Sequence, residues 1–320
     1  MRFLIIGCGS MGKRRIRNLH QLGERDLLAF DPREDRRQEV AGRYGVPVFS
    51  TFEEALAREP EVLVISTPPA WHAPYVEWAI RHNRHFFCEV PLSPDPSEIE
   101  RLKQLMQESR FEGVAAPSST WKFLPTVRLL WQLLQEEWFA PVLCVLHQVG
   151  QYLPEWHPWE DYRTFYAADL RLGGGLDVPA IELNWMLWLL GDVRVKQVRG
   201  FARKLSRLEI QTVDVIQLLL ECDNGVLLTM HFDMIQRKGE RYVKFISENG
   251  TIVWEGRTVR FFRAGGTDWT FLPELELEAI EQTYVEEMRA FLAAIRGEAV
   301  FPNDFSTEHH IMTVLRQVIR

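Results

Sequence analysis

Gly7-Cys8-Gly9-Ser10-Met11-Gly12 lies between an apolar run, Phe3-Leu4-Ile5-Ile6, and a stretch in which Ile16, Leu19 and Leu22 recur at helical spacing up to Gly23. This reads as strand, glycine turn, helix. A second apolar run, Leu27-Leu28-Ala29-Phe30, ends in Asp31, about 20 residues beyond the glycines, where a βαβ dinucleotide fold carries its ribose-binding acid. In that reading Gly7 allows the tight turn and Gly9 lets backbone N–H groups approach a pyrophosphate. Gly12 lets helix and strand pack closely, and the helix N-terminus favours negative charge. The alternative, glycines that only make a turn, leaves the strand, helix and acid in register unexplained.

The pattern continues in the same grammar. Arg36 to Tyr44 reads as a helix, Val46 to Phe49 as a short strand, and Ser50 or Thr51 opens a helix with acids in its first turn. Glu61 to Ser66 is a strand running into Thr67-Pro68-Pro69; His72 to His82 is a helix, and His85 to Cys88 a strand ending in Glu89. Ser97 caps a helix with Ile99, Leu102, Leu105 and Met106 inward, and Gly113 to Ala116 gives a last short strand. Alternating strands and helices predict an α/β domain with a doubly wound parallel sheet, whose ligands sit at the carboxyl ends of the strands. Its expected boundary is 1–118.

Residues 119–320 read differently. A helix over Lys122 to Trp138, entered through Pro125, precedes strand-like runs at Val142–Tyr152, Val193–Leu205, Val213–Glu221, Val226–Phe232, Tyr242–Ser247, Thr251–Trp254 and Val259–Phe262. Asp223-Asn224-Gly225 and Glu248-Asn249-Gly250 are hairpin signals. Helices are expected after Gly175 through Leu190, from Pro273 to Ile295, and from Ser306. The expectation is an α+β domain with a largely antiparallel open sheet, serving substrate binding and oligomerisation.

With 37 basic and 44 acidic residues the net charge is −7, so no basic surplus points to nucleic acid or an anionic membrane, and a small-molecule partner is expected. Cys8, Cys88, Cys144 and Cys222 form no CxxC pair and give neither a metal site nor a disulfide framework, which fits a reducing cytoplasm. The chain enters its first strand with no basic and apolar leader, so no signal peptide is expected. The apolar stretch Trp185 to Leu190 is far shorter than the roughly 20 residues a bilayer requires and reads as a buried helix.

The first domain with Thr67-Pro68-Pro69-Ala70-Trp71-His72 and Cys88-Glu89-Val90-Pro91-Leu92, followed by Gly173-Gly174-Gly175 ahead of Asp177 and by Trp188-Leu189-Leu190-Gly191, resembles the Gfo/Idh/MocA family of NAD(P)-dependent oxidoreductases over nearly the whole chain. The resemblance implies a Rossmann domain, a second domain whose open sheet often mediates dimerisation, and sugars, inositols or nucleotide sugars as substrates. The loop from Tyr152 to Arg163 is similar to a subset associated with surface-sugar biosynthesis. Two departures stand out. The family usually has Glu-Lys-Pro, where this chain has Glu89-Val90-Pro91; aligning on Trp188 to Gly191 puts Ile181 and Asn184 where a histidine and an aspartate are usual. Neither aliphatic side chain can transfer a proton, and such groups contribute about 10²- to 10⁴-fold in rate. Glu-Val-Pro also occurs in relatives that act as NAD-dependent glycosidases.

The candidate cofactor residues are therefore Gly7, Gly9, Ser10, Met11, Gly12, Asp31, Arg33, Ser66, Thr67, Pro68, His72 and Glu89, with NAD expected and NADP possible because Arg33, Arg36 and Arg37 flank Asp31. The resemblance places Glu89 near the nicotinamide ribose; otherwise it is a surface acid before a turn. His72 belongs to the nicotinamide-side turn or caps its helix. Lys122 stands where many members have an arginine, or is a solvated charge at a helix start. Asp177 is the best remaining carboxylate for proton transfer, against simple compensation of a helix dipole. Trp156, His157, Trp159, Tyr162 and Tyr166 offer aromatic faces to a sugar, or form a packed loop. His157 and Tyr162 are replacement acid/base candidates, and Lys122, Trp156, Arg163 and Asn184 are candidate substrate contacts. Three readings follow: an oxidoreductase with an atypical centre, a dinucleotide-binding protein with little hydride transfer, and an NAD-assisted eliminase or glycosidase. A homo-oligomer, most simply a dimer, is expected.

Overall fold

The computed structural model describes residues 1–158, 160–273 and 279–319. Trp159 and the expected helical start over 274–278 lie outside the described residues. The chain divides into two compact units, one of residues 1–123 with 280–309, the other of 124–279 with 310–320. The first unit thus runs a few residues beyond the expected boundary and takes in a segment from much later in the sequence.

In the first unit six strands, β1 (Phe3–Ile6), β2 (Leu27–Phe30), β3 (Val48–Phe49), β4 (Val62–Ile65), β5 (His85–Cys88) and β6 (Ala115–Pro117), form a wholly parallel sheet in the order β3-β2-β1-β4-β5-β6. Every residue of β1, β2 and β4 is buried. Both faces are covered by helices, which is why these strands read as unbroken apolar runs rather than alternations. The strand order reverses between β1 and β4, and a crevice for ligands opens at such a switch point. The crossovers are α1 (Ser10–Gln21), α2 (Glu34–Tyr44), α3 (Phe52–Leu56), α4 (His72–Arg81) and α5 (Pro96–Glu108). Thr51 and Glu54 close α3 with a capping box. The cap of α5 is Asp95 rather than the expected Ser97: the Asp95 carboxylate accepts from the Ser97 N–H at 2.9 Å, and Pro96 takes the first helical position, where no N–H is needed.

The second unit holds α6 (Pro125–Gln135), α7 (Asp177–Leu189) and an eight-stranded sheet. Its strands are β7 (Cys144–Tyr152), β8 (Val195–Arg203), β9 (Val215–Cys222), β10 (Leu227–Asp233), β11 (Ile235–Ser247), β12 (Gly250–Glu255), β13 (Thr258–Arg263) and β14 (Thr270–Phe271), in the order β14-β13-β12-β11-β7-β10-β9-β8. All neighbours are antiparallel except β7 and β10. The two hairpin signals join β9 to β10 and β11 to β12, the first with Gly225 at φ 89°. The expected helix over Lys122 to Trp138 is shorter, because Thr120–Phe123 forms a 3₁₀ turn ahead of Pro125. One face of the sheet carries Leu220, Leu228, Val145, Phe245 and Ile252 in register and is buried; the other leaves Phe201, Leu219, Leu227 and Leu146 exposed.

Two helices close the described chain, α8 (Ala279–Ile295) and α9 (Phe305–Arg316). Met288, Phe291 and Leu292 of α8, with Phe301, join the core of the first unit beside Phe3, Ile5, Val64 and Phe87. The Phe87, Phe291 and Phe301 rings meet at 5.6 to 6.4 Å. No helix among the described residues is long and apolar enough to cross a membrane.

Candidate active site

Three glycines shape the turn between β1 and α1. Gly7 has φ 93°, and a Cβ there would lie 2.8 Å from the Ser66 carbonyl oxygen. A Cβ on Gly12 would fall inside the Gly7 carbonyl oxygen, so helix and strand meet at backbone contact. Gly9 is the N-cap of α1; the nearest protein atom to a Cβ there is the Arg36 guanidinium, at ordinary contact distance, so the approach to its backbone is open. No side chain caps α1 and no acid lies in its first turn. Its leading N–H groups, including those of Ser10 and Met11, and its dipole suit an anionic group.

Asp31 ends β2 and is buried; its carboxylate accepts from the N–H of Cys8 at 2.7 Å and of Arg33 at 2.9 Å, which ties the glycine turn to the second strand. The Arg33 side chain turns away into an exposed pair with Asp35, whereas Arg36 approaches Asp31 to 3.7 Å. At the end of β4 the hydroxyls of Ser66 and Thr67 are buried without a hydrogen-bond partner among the described residues, donors available to a ligand beside Pro68. The fit to a dinucleotide is therefore carried by an open Gly9, an uncapped helix and two unpartnered hydroxyls.

His72 does not cap α4. Its ring is fully buried between the carbonyls of Thr67 (2.7 Å) and Pro91 (3.1 Å), bracing the turns that follow β4 and β5. Burial pushes its pKa down to about 4, against the pull of those carbonyls, so the neutral ring donates to one of them at a time. Glu89, just past β5, is held by Arg15, which in turn pairs with Glu287 of α8. Lys122, read either as a substrate contact or as a solvated charge, is buried with its ammonium on the Pro302 carbonyl at 2.7 Å, so it is not solvated and it holds the segment 280–309.

In the second unit, Asp177, Ile181, Asn184 and Trp188 share one face of α7, since four and seven residues are nearly whole turns. Asp177 is its carboxylate. The Tyr166 hydroxyl donates to Asp177 Oδ2 at 2.9 Å, while Oδ1 is buried with no partner among the described residues; burial raises the carboxyl pKa above its ordinary value. Gly174 and Gly175 let the preceding loop pack against the Ala167 carbonyl and the Thr212 hydroxyl, each 2.5 Å from where a Cβ would stand. Among the described residues of 152–166, several aromatic side chains pack inward. Trp156 and Tyr162 cover a small core of Leu153, Ala167 and Met234, although the Trp156 indole N–H is buried without a partner. His157 packs edge-on against Phe165 at 4.8 Å, the Tyr162 hydroxyl accepts from the Glu209 N–H, and Arg163 forms exposed pairs with Asp161 and Glu209.

The opposite face of α7 carries Glu182, which accepts from His147 and Trp185 at 2.8 Å each and pairs with Arg241. Burial would raise its pKa, but the Arg241 guanidinium and the His147 and Trp185 hydrogen bonds outweigh it and hold Glu182 below the ordinary glutamate value. Glu182→Gln is expected to cost about 3 kcal/mol at neutral pH, because the Arg241 guanidinium is left without the carboxylate it pairs with. The contribution is present above the unfolded carboxylate value and is lost as pH falls through the lowered folded value. The stability gap between wild type and variant in urea unfolding should therefore narrow on acidification; an unchanged gap would refute it. Glu182, Arg15 and Glu287 were not singled out from sequence. Each is a charged residue interrupting an apolar helical stripe, and that was the available signal.

Residues 1–111 match the family model GFO_IDH_MocA, described as an oxidoreductase family with an NAD-binding Rossmann fold. The chain is 30% identical over 105 residues to a myo-inositol 2-dehydrogenase of Thermotoga maritima, covering 32% of this chain and 31% of that one. It is 24% identical over 319 residues to an inositol 2-dehydrogenase of Burkholderia lata, covering 92% and 86%. The match to the Gfo/Idh/MocA family model thus covers the first 111 residues of the chain. Its fold matches that of the UDP-N-acetylglucosamine 3-dehydrogenase GnnA of Acidithiobacillus ferrooxidans with a TM-score of 0.80 and 19% identity, over 99% of this chain and 96% of GnnA. The chain has the Rossmann and open-sheet units that the resemblance implied, and the family model that residues 1–111 match is that of an NAD-binding Rossmann fold.

Proposed function

We propose that the chain is an NAD-dependent oxidoreductase of a sugar, polyol or nucleotide sugar in which Asp177, held by Tyr166, handles the proton in place of the usual lysine and histidine. The carrying observation is the buried, unpartnered Asp177 Oδ1 on the helix face shared with Ile181 and Asn184. Inositol and UDP-sugar dehydrogenases among the relatives support the substrate class. NAD, when bound, supplies the hydride-accepting ring. Asp177 would hold the proton of the substrate hydroxyl at its Oδ1. A carboxyl whose pKa is raised by burial is better matched to that task at neutral pH. Tyr166 keeps one oxygen occupied and so leaves the other for substrate, with Asn184 and the Trp156 indole as further hydrogen-bonding groups.

Screening inositols, hexoses and UDP-hexoses for NADH formation tests the reading. NAD should be preferred over NADP, because a carboxylate at Asp31 accepts from a ribose diol and repels a 2′-phosphate. Clearly better turnover with NADP would overturn that preference. Product without net NADH would assign elimination or hydrolysis instead, and tight NADH binding with no product would assign a binding protein.

The exposed face of the eight-stranded sheet, with Phe201, Leu219, Leu227 and Leu146, supports a dimer formed through that face. Light scattering at micromolar concentration should give a dimer for wild type and a monomer for the paired variant Phe201→Asp, Leu219→Lys. A monomeric wild type would refute it.

A further inference from the structure

Arg15 lies on the buried face of α1, one turn beyond the glycines, and none of its side chain is exposed. Its Nε and Nη2 donate to the two carboxylate oxygens of Glu89 at 2.7 and 3.1 Å, its Nη1 lies 2.8 Å from Glu287, and its guanidinium sits 4.5 Å from the centre of the Phe87 ring. The two acids differ in what they have left to offer. Glu287 is wholly buried, and its oxygens already take the Ser118 hydroxyl (2.8 Å), the Ser119 N–H (2.5 Å), the Thr120 hydroxyl (2.7 Å) and Arg15. Wholly enclosed, it has no surface to offer a ligand. Glu89 keeps 14% of its side chain exposed and receives only the two N–H groups of the fork, so each of its oxygens has a free lone pair.

We propose that Arg15, anchored by Glu287, is a positioning residue that fixes the plane of the Glu89 carboxylate so that its free lone pairs accept a ribose hydroxyl of the bound dinucleotide. This rests on the reading of Glu89 as a cofactor contact. A planar fork engaged on both oxygens sets orientation as well as charge, which an ammonium cannot do. Placing the fork on α1 couples the glycine turn, which receives the pyrophosphate, to the acid at the end of β5.

The test is a double-variant cycle on NADH affinity by fluorescence titration, with melting temperature and steady-state kinetics measured alongside. Glu89→Gln and Arg15→Lys should each weaken binding on the order of tenfold, and the double variant no further, because both remove one interaction. Arg15→Lys keeps a charge between the two acids, so it should melt close to wild type while affinity stays low. The KM for NAD should rise with kcat unchanged. Arg15→Met, which leaves both acids unneutralised, is the harsher variant and is not needed for the conclusion. Multiplying effects in the double variant, affinity fully restored by lysine, or no effect of Glu89→Gln would each overturn the proposal. If wild type bound no NADH at all, the cofactor reading itself would fall; binding with an additive cycle would remove only the role of Arg15.

Discussion

Asp177→Asn should lower kcat for sugar oxidation by about 10²- to 10⁴-fold while NADH affinity stays within about twofold of wild type. The amide preserves the shape and can still accept from Tyr166, but it cannot take a proton. Stability should move the other way. Burial raises the Asp177 pKa, so the folded chain keeps that proton to higher pH than the unfolded chain does. The resulting stabilisation is complete below the unfolded carboxylate value and disappears as pH rises through the folded one. At neutral pH and above, asparagine escapes the burial penalty of the ionised form, and the variant should melt at or above wild type. Tyr166→Phe should lower kcat less, on the order of tenfold, because the carboxylate survives. Sugar turnover unaffected by both changes would place the proton transfer elsewhere.

Gly12→Ala and Gly9→Ala should fail in different ways. Gly12 is helical, so alanine would gain roughly 1 kcal/mol of helix propensity. Its methyl, however, would overlap the Gly7 carbonyl oxygen, a backbone atom that cannot swing aside, and overpacking of this kind costs about 1–3 kcal/mol or more. The clash wins, and both melting temperature and cofactor binding should fall. Gly9 has φ −71° and ψ −164°, open to any residue, and a methyl there meets only Arg36 at 3.6 Å. Melting should hardly change, yet the methyl stands where a pyrophosphate must come close, and NADH affinity should drop on the order of 100-fold. Equal melting temperatures for the two variants, or undiminished binding by Gly9→Ala, would refute this division of roles.

The first unit was legible because its signals are local. A four-residue apolar strand, a glycine that needs positive φ and an amphipathic helix each announce themselves within one window. The second sheet was legible for the same reason, through turn residues such as Asn224-Gly225. What the sequence hid were partnerships across long separations. Arg15 and Glu287 drew no reading, Lys122 was left between a substrate contact and a solvated charge, and the return of 280–309 to the first core carries no periodic mark, since an apolar stripe does not say which surface it will cover. The loop aromatics were ambiguous on physical grounds: Trp156 and Tyr162 suit a sugar face and a small core equally well, and both cover the core. The cap of α5 was misplaced by two residues because Ser97 and Asp95 are both good caps, and Pro96 settles the choice only once its position in the helix is known.

The delayed return of the chain to the first core has a consequence during synthesis. Residues 1–123 leave the ribosome long before Met288, Phe291, Leu292 and Phe301, the side chains that join Phe87 in the core, have been made. At about 5–20 residues per second the wait for the intervening stretch is roughly 10–30 s, far longer than a parallel sheet needs to collapse. Through that interval the nascent sheet must carry an uncovered aromatic surface around Phe87, together with an Arg15 that lacks one of its two acids. Truncation before residue 280 should therefore yield aggregates rather than a free dinucleotide-binding domain.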